Sequence, residues 1–389
     1  MRLAKTEFIV PAEIFVNGRC FAQSLSGVQR FARELLLALD ELLAEGVDRD
    51  RFRLIVLQPR SVAEPVGYRH MAMREIGRST GHLWEQTELP AHVRGKLLLN
   101  FCNTAPLLKR NQVLTIHDAA VRAVPKAYTG AFRTWYRVMH TLAGARAARI
   151  ITVSQFSKRE LVERLGLPAD RIAVVAEGAD HIKRVDSDGS VLKRFGLDRR
   201  PFVLAVGNLA PHKNFQAVVR AVEIARLPDV DVVIAGGASP QVFATRSGTL
   251  PASVKHVGRV GDGELRALYE HAACFVYPSL YEGFGLPPLE AMACGCPVVA
   301  ANAASVPEVC GDAALYCDPR SPADIAAKLG QIIADEALRA RLRERGRARA
   351  AQFTWRRCAR EVWHEVLLAL DATPAPRARF RREMDDGPL

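Results

Sequence analysis

Short apolar runs recur along this chain, and helical periodicity fills most of the gaps between them. In the first half the runs are IFVN (14–17), RLIVL (53–57), LLLNF (97–101), QVLTI (112–116), RIITV (149–153) and RIAVV (171–175). Each is short and rich in β-branched or aliphatic side chains, as a strand buried on both faces requires. Between the first two runs, from Val28 to Leu43, leucines and a phenylalanine recur at spacings of three and four, which predicts an amphipathic helix. Gly130 to Ala147 reads the same way. Strands that alternate with helices pair in parallel, because each helix carries the chain back across the sheet. The expected fold is therefore α/β, with doubly wound parallel sheets covered by helices on both faces.

The stretch DHIKRVDSDG, 180–189, interrupts the pattern and reads as a linker. Beyond it the alternation restarts with FVLAV (202–206), DVVIA (231–235), KHV (255–257), CFVY (274–277), PVVAA (297–301) and ALY (314–316). Helices are expected from about Lys213, from Asp262 and from Pro287, with Asp262 and Ser321 as N-caps. Residues 321–372 read as helical, and 373–389 as a mobile tail poor in apolar side chains. This divides the chain into an N-terminal Rossmann-like domain (1–183), a C-terminal one (184–354), a helix at 355–372 returning toward the first domain, and the tail. Tandem doubly wound domains place their ligand sites at the carboxyl ends of the strands, in a cleft between them.

No run approaches the roughly 18 apolar residues that cross a bilayer, and Glu7 and Glu13 break the N-terminal apolar stretch below signal-peptide length. A cytoplasmic location is expected, including the inner face of the cell membrane. The eight cysteines form no CxxC pair and read as buried thiols. The net charge of +12 admits nucleic acid, an anionic membrane or an anionic substrate as partner, or only an Arg- and Ala-rich background. No nucleic-acid recognition motif accompanies it, and no nucleic-acid partner is expected.

The chemistry concentrates in PSLYEGFGLPPLEAMACGCPVVAA, which follows CFVY. Gly283 and Gly285 bracket Phe284 and let the backbone turn sharply and approach a ligand. Pro287 and Pro288 suit the first turn of a helix, whose free amides and dipole make a site for phosphate oxygens. Glu282 and Glu290, eight positions apart across this turn, can bind hydroxyls at two ends of one ligand.

This segment resembles the Glu-x7-Glu motif of the family 4 retaining glycosyltransferases of GT-B fold, and the similarity runs from SGVQRFARELL to VPEVCGDAALYCDP. The resemblance implies that Glu282 contacts the transferred sugar and Glu290 the ribose of the nucleotide. The amides of Phe284, Gly285 and Leu286 would hold the sugar and the distal phosphate. In VGNLAPHKN (206–214) it gives Lys213 the role of neutralising the departing diphosphate, while Asn208 stands where many members carry an arginine. His212 reads as an exposed loop residue. SLSGVQRF (24–31) resembles the family's glycine loop, with Gly27 close to the donor phosphate. TIHDAA (115–120) places His117 as the active-site histidine, near the transferred sugar and the acceptor. Adjacent strand residues point to opposite faces, which argues against a His117–Asp118 dyad and leaves Asp118 to cap the following turn. Ser154 reads as a helix N-cap and resembles a serine that faces the cleft.

Retaining members act from the front side, so no protein nucleophile is needed, and none stands out. No cofactor or metal is expected, since no DxD-type pair stands in a strand-end context and no zinc spacing occurs. WEQTELP, IHD and PHKN lean toward the mannosyltransferase-like branch, hence mannose from GDP-mannose, with rhamnose or another UDP- or dTDP-linked sugar as the alternative. Glu85 and Glu88 receive no role. A nucleotide-sugar epimerase of the same fold is the rival enzyme. A dehydrogenase would require GxGxxG with an acid about 20 residues on, which is missing. The partners expected are a nucleotide-sugar donor and a glycan or polyprenyl-diphosphate-linked acceptor. Between Asp118 and Glu160 there is no acid, and Arg133 and Arg137 lie one turn apart beside Phe132, Trp135 and Tyr136. That pattern fits an anionic membrane surface, or equally a solvated basic face with Trp135 in the core.

Overall fold

The computed structural model describes residues 11–60, 62, 67–227, 229–237 and 254–372, so the N-terminal leader reading and the tail at 373–389 lie outside it. The first sheet contains β1 (Ala12–Asn17), β2 (Phe52–Gln58), β3 (Ala72–Glu75), β4 (Leu98–Asn100), β5 (Gln112–Thr115), β6 (Arg149–Thr152) and β7 (Ile172–Val174). Its order is β3-β2-β1-β4-β5-β6-β7, all parallel. The second contains β8 (Phe202–Val206), β9 (Asp231–Ala235), β10 (Val254–Gly258), β11 (Cys274–Tyr277), β12 (Val298–Ala301) and β13 (Ala314–Cys317). Its order is β10-β9-β8-β11-β12-β13, again parallel throughout. The direction of winding reverses between β1 and β4 and between β8 and β11. Ligands bind at such reversals in open α/β sheets, outside the carboxyl ends of the strands.

The cores explain the apolar runs. Phe202, Val203, Leu204 and Ala205 of β8 are buried on both faces, as are Leu54, Ile55 and Val56 of β2. Helix Gly27–Ala44 buries Phe31, Leu35, Leu36, Leu39, Leu42 and Leu43 against the first sheet. Strand β3, AMRE, is half-buried or exposed along its length and carries no apolar run, so the sequence gives it no signal. All eight cysteines are free, six of them buried.

Residues 321–372 form three helices, Pro322–Ala334, Glu336–Ala350 and Trp355–Asp371. Ser321 caps the first by accepting from the amide of Asp324. The last packs on Gly27–Ala44 and the first sheet. Trp355 meets Phe31 edge-on at 5.9 Å, Trp363 meets Phe52 at the same distance, and Arg149 pairs with Glu365 at 2.6 Å. Segment 180–189 is not a loose tether. His181 and Ile182 are buried in a 3-10 turn, and Asp180 Oδ1 accepts from the amide of Trp355. Asp262 is not an N-cap: Gly261 is, and Asp262 lies in the first turn of Asp262–His271. There it receives both guanidinium nitrogens of Arg30 from the first sheet's helix, at 2.6 and 2.5 Å. A charged partner across the cleft outcompetes the local capping bond.

Candidate active site

Two loops meet at the β8/β11 reversal. The one after β8 runs from Gly207 to Asn214 and the one after β11 from Pro278 to Gly285. Backbone contact stitches them together, because the carbonyl of His212 accepts from Leu280 N at 2.8 Å and lies 3.1 Å from Ser279 Oγ. Gly236, after β9, is glycine for a packing reason: a Cβ there would lie 2.0 Å from the Gly207 carbonyl oxygen.

The Lys213 ammonium donates to Glu282 Oε1 at 2.7 Å and lies 3.4 Å from the Tyr277 hydroxyl. Ser279 Oγ donates to the same Glu282 oxygen at 2.5 Å. Burial pushes the Glu282 carboxyl upward. The Lys213 charge, the His212 ring and the hydrogen bonds from Lys213 and Ser279 outweigh it, and the group sits below its ordinary range. His212 is not an exposed loop residue. It is half-buried, and burial together with the Lys213 charge pushes its ring down to about 4, so it is neutral at pH 7. Asn208 Oδ1 accepts from Ala210 N at 3.2 Å and shapes the turn, leaving the carboxamide nitrogen as its donor.

Beyond Glu282 the two bracketing glycines have different causes. Gly285 takes φ 120° and precedes helix Leu286–Ala293, a backbone position that favours glycine. Gly283 clears the other domain rather than a ligand: a Cβ there would stand 2.6 Å from the His117 carbonyl oxygen and 2.9 Å from Asp118 Cβ. Its carbonyl accepts from Ser154 Oγ at 2.6 Å and Ser157 Oγ at 2.9 Å. Ser154 thus caps its helix, as read, and also grips the loop of the second domain. Ser305 Oγ contacts the carbonyls of Glu282 and Phe284 at 3.0 and 2.6 Å. Phe284 and Leu286 are buried, so their side chains are unavailable to a ligand and only backbone groups at the helix N-terminus remain.

Glu290 sits one turn into that helix, buried, and is already engaged. His181 Nε2 is 2.9 Å from Oε1, and Tyr269 donates to Oε2 at 3.0 Å. Trp355 Nε1 donates to His181 Nδ1 at 3.0 Å, so the ring carries its proton on Nε2 and donates to Glu290. Burial opposes ionisation of Glu290, and the His181 bond leads the effects that hold it below its ordinary range nonetheless. Each carboxylate oxygen keeps a further lone pair for a ligand hydroxyl.

The first domain contributes less directly. Gly27 opens helix Gly27–Ala44 with space around it, so no packing contact requires a glycine there. The His117 ring points into its own domain rather than toward the second. Nε2 lies 3.1 Å from the Phe101 carbonyl, Nδ1 3.4 Å from Glu177, and Phe31 packs edge-on at 4.8 Å. The partner of His117 is thus Glu177, not Asp118, and Asp118 Oδ1 caps Ala120 N at 2.8 Å. Glu85 is fully buried and accepts from Asn17 and Thr104 at 2.8 Å, with Arg19 Nε 3.2 Å away. Glu88 binds the amides of Arg78 and Ser79. Both are structural anchors.

Several residues that join the domains carry no local sequence signal. Tyr281 accepts from Ala119 N and donates to Glu160, both at 3.2 Å, while Glu308 receives the amides of Gln155 and Phe156 at 2.7 and 3.0 Å. The neighbour Glu282 drew attention to this loop, but partners more than 120 positions away leave no local pattern.

Two doubly wound parallel sheets facing across a cleft, with charged groups gathered at a strand-order reversal, define the GT-B architecture. Sucrose-phosphate synthase from Thermosynechococcus elongatus shares it with a TM-score of 0.71 at 19% identity, over 94% of this chain and 100% of that one. The family model described as Glycosyltransferase Family 4 matches residues 25–183, and that for Glycosyl transferases group 1 matches 192–349. O-antigen chain mannosyltransferase B of Escherichia coli is 35% identical over 261 residues, 64% of this chain and 68% of that protein. The serotype-specific mannosyltransferase WbdA of Escherichia coli is 28% identical over 373 residues, 88% of this chain but only 43% of its own length. The chain belongs to the family 4, group 1 glycosyltransferases and is an enzyme of that class.

Proposed function

We propose that the protein is a retaining mannosyltransferase that moves mannose from GDP-mannose to a glycan acceptor during surface polysaccharide or lipopolysaccharide synthesis. The observation that carries this reading is the Lys213–Glu282 pair at the β8/β11 reversal, beside the N-terminus of helix Leu286–Ala293. The O-antigen mannosyltransferases among the relatives supply the sugar and the pathway class.

Each group has a task. The amides of Phe284, Gly285 and Leu286 and the helix dipole receive phosphate oxygens. The Lys213 ammonium neutralises charge as it grows on the leaving diphosphate. Glu282, ionised by its neighbours, accepts hydroxyls of the transferred sugar and favours positive charge on its ring. Glu290, held by His181 and Tyr269, accepts from the ribose. The acceptor hydroxyl bonds to the anomeric carbon on the face from which the diphosphate departs. Its proton passes to the released phosphate oxygen, so no protein base or nucleophile is required. Neither a metal nor a cofactor enters these steps.

The acceptor is proposed to be linked to a polyprenyl diphosphate and met at an anionic membrane surface. Helix Gly130–Arg146 exposes Val138 and Leu142, and Leu108, Lys109 and Arg146 line the same cavity as Leu142, whereas Arg133 and Arg137 are half-buried on another side of the helix. Trp135 is half-buried. Among the described residues no helix is long and apolar enough to cross a membrane. Recruitment to anionic vesicles at low salt is expected in a flotation assay, and absence of recruitment would remove the membrane part of the proposal.

The transfer itself is tested by incubating GDP-mannose with the enzyme, with and without octyl α-mannoside, and following free GDP and the product by NMR. Acceptor-dependent GDP release with an α-linked product is expected. GDP release that ignores the acceptor would favour an epimerase-type reaction. A β-linked product would overturn retention. Turnover only with UDP- or dTDP-sugars would move the donor to rhamnose or a related sugar.

A further inference from the structure

Asp118 is a carboxylate that the donor reading leaves without a task. It follows β5 at the carboxyl end of the first sheet, beside the point where the two domains touch. Oδ1 is used by the Ala120 amide. Oδ2 meets no donor among the described residues, and it lies 3.2 Å from where a Cβ on Gly283 would stand. The groups that act on it electrostatically come from both domains. Glu282 repels it, Lys213 and His117 attract it, and the phenols of Tyr128 and Tyr281 feel its charge in turn.

The turn alone does not call for this arrangement. One oxygen makes the cap, and asparagine or serine would supply it without charge. A second carboxylate near Glu282 adds repulsion, and burial between the domains pushes the Asp118 carboxyl up. The arrangement is unfavourable for the protein by itself and leaves an acceptor oxygen open on the first-domain side of the reacting centre. The donor groups Lys213, Glu282, Glu290 and the helix amides all come from the second domain. The substrate that Asp118 faces is the other one.

We propose that Asp118 Oδ2 accepts a hydrogen bond from a hydroxyl of the acceptor sugar adjacent to the one that attacks. The attacking hydroxyl keeps its own proton for the leaving phosphate, so the proposal adds no proton transfer. Asp118 is a positioning carboxylate on the acceptor side, paired in space with the donor-side Glu282. The inference rests on the donor site being as proposed above.

Asp118→Asn is the decisive variant. Its amide oxygen can retain the Ala120 cap, and its NH2 then replaces Oδ2, presenting a donor where an acceptor stood. Asp118→Ser, which keeps a cap through its hydroxyl, guards against a folding artefact. Steady-state kinetics with GDP-mannose and octyl α-mannoside should show the KM for the mannoside raised about 10- to 100-fold in both variants, the range of one charge-assisted hydrogen bond. The KM for GDP-mannose and the thermal shift with GDP should stay at wild-type values. An unchanged mannoside KM overturns the proposal. So does a rise in the GDP-mannose KM of equal size, which would put Asp118 on the donor. A wild type that shows no shift with GDP or any other nucleotide fails at the donor site instead, a separate result.

Discussion

The carboxyl ends of the two sheets differ in how their polar groups are satisfied. At the β8/β11 reversal Glu282, Lys213, Ser279 and the loop carbonyls bind one another within a single domain. At the first sheet's end the polar groups reach outward. Ser154 and Ser157 hold Gly283, Ala119 donates to Tyr281, and Asp118 leaves one oxygen open. A cluster assembled within one domain is in place whether or not the cleft is closed, as the proposed donor site requires. An acceptor face that depends on the neighbouring loop is complete only when the domains meet. On the proposed function, the second domain supplies the chemistry and the first supplies the register in which the acceptor meets it.

The largest effect is expected where that chemistry resides. Lys213→Ala removes the charge proposed to face the diphosphate and leaves Glu282 buried without its cation. A fall in kcat of about 10³-fold follows, in line with the loss of a single transition-state stabiliser. A loss below about tenfold would mean that the helix amides carry the diphosphate alone. Next come the two loop glycines of the comparison. Gly283→Ala drives a methyl into the His117 carbonyl, 2.6 Å away. It should lower kcat/KM for the acceptor about 100-fold by holding the domains apart, the scale of a misplacement of about 1 Å. Gly27→Ala meets no protein atom and lies outside the second domain's donor groups, so kcat and both KM values should stay near those of the wild type. Equal effects of the two substitutions on both substrates would erase the distinction between the sheets.

Why the fold was readable and the joint was not follows from range. Parallel strands buried on both faces must be continuous apolar runs, so FVLAV and CFVY announce β8 and β11 nearly to the residue. AMRE, on an edge and partly solvated, needs no such run and leaves no signal. The helix Leu286–Ala293 was legible from its prolines, and the Gly285 turn from its glycine. Gly283 looked like part of the same turn. Its actual reason, the backbone at His117, lies 166 positions away. Asp262 misled for the same cause, since a local N-cap signal was overridden by Arg30, 232 positions away. His117 was placed at the right strand end, but its ring is turned inward by Glu177 and Phe101.

The smallest effect concerns pH. His212 in the folded protein is pushed down to about 4, against an unfolded value near 6.5. The unfolded state therefore binds the proton more readily. The stability contributed by the neutral ring is fully present above about pH 6.5 and is lost as the pH falls toward about 4. Melting temperature should decline across that window, and His212→Gln should flatten part of the decline. An identical profile in the variant would mean that other groups set the acid limb and that the donor loop is less tightly packed than its hydrogen bonds indicate.

The most direct test of the central claim is a melting-temperature panel. It sets the wild type beside Lys213→Ala, each with GDP, UDP, dTDP and ADP and the corresponding nucleotide sugars. A donor site preassembled at the β8/β11 reversal predicts stabilisation of the wild type, largest with GDP and GDP-mannose, and a much reduced shift in the variant. No shift with any nucleotide, or equal shifts in the two proteins, would contradict the assignment of Lys213 and Glu282 to the donor site.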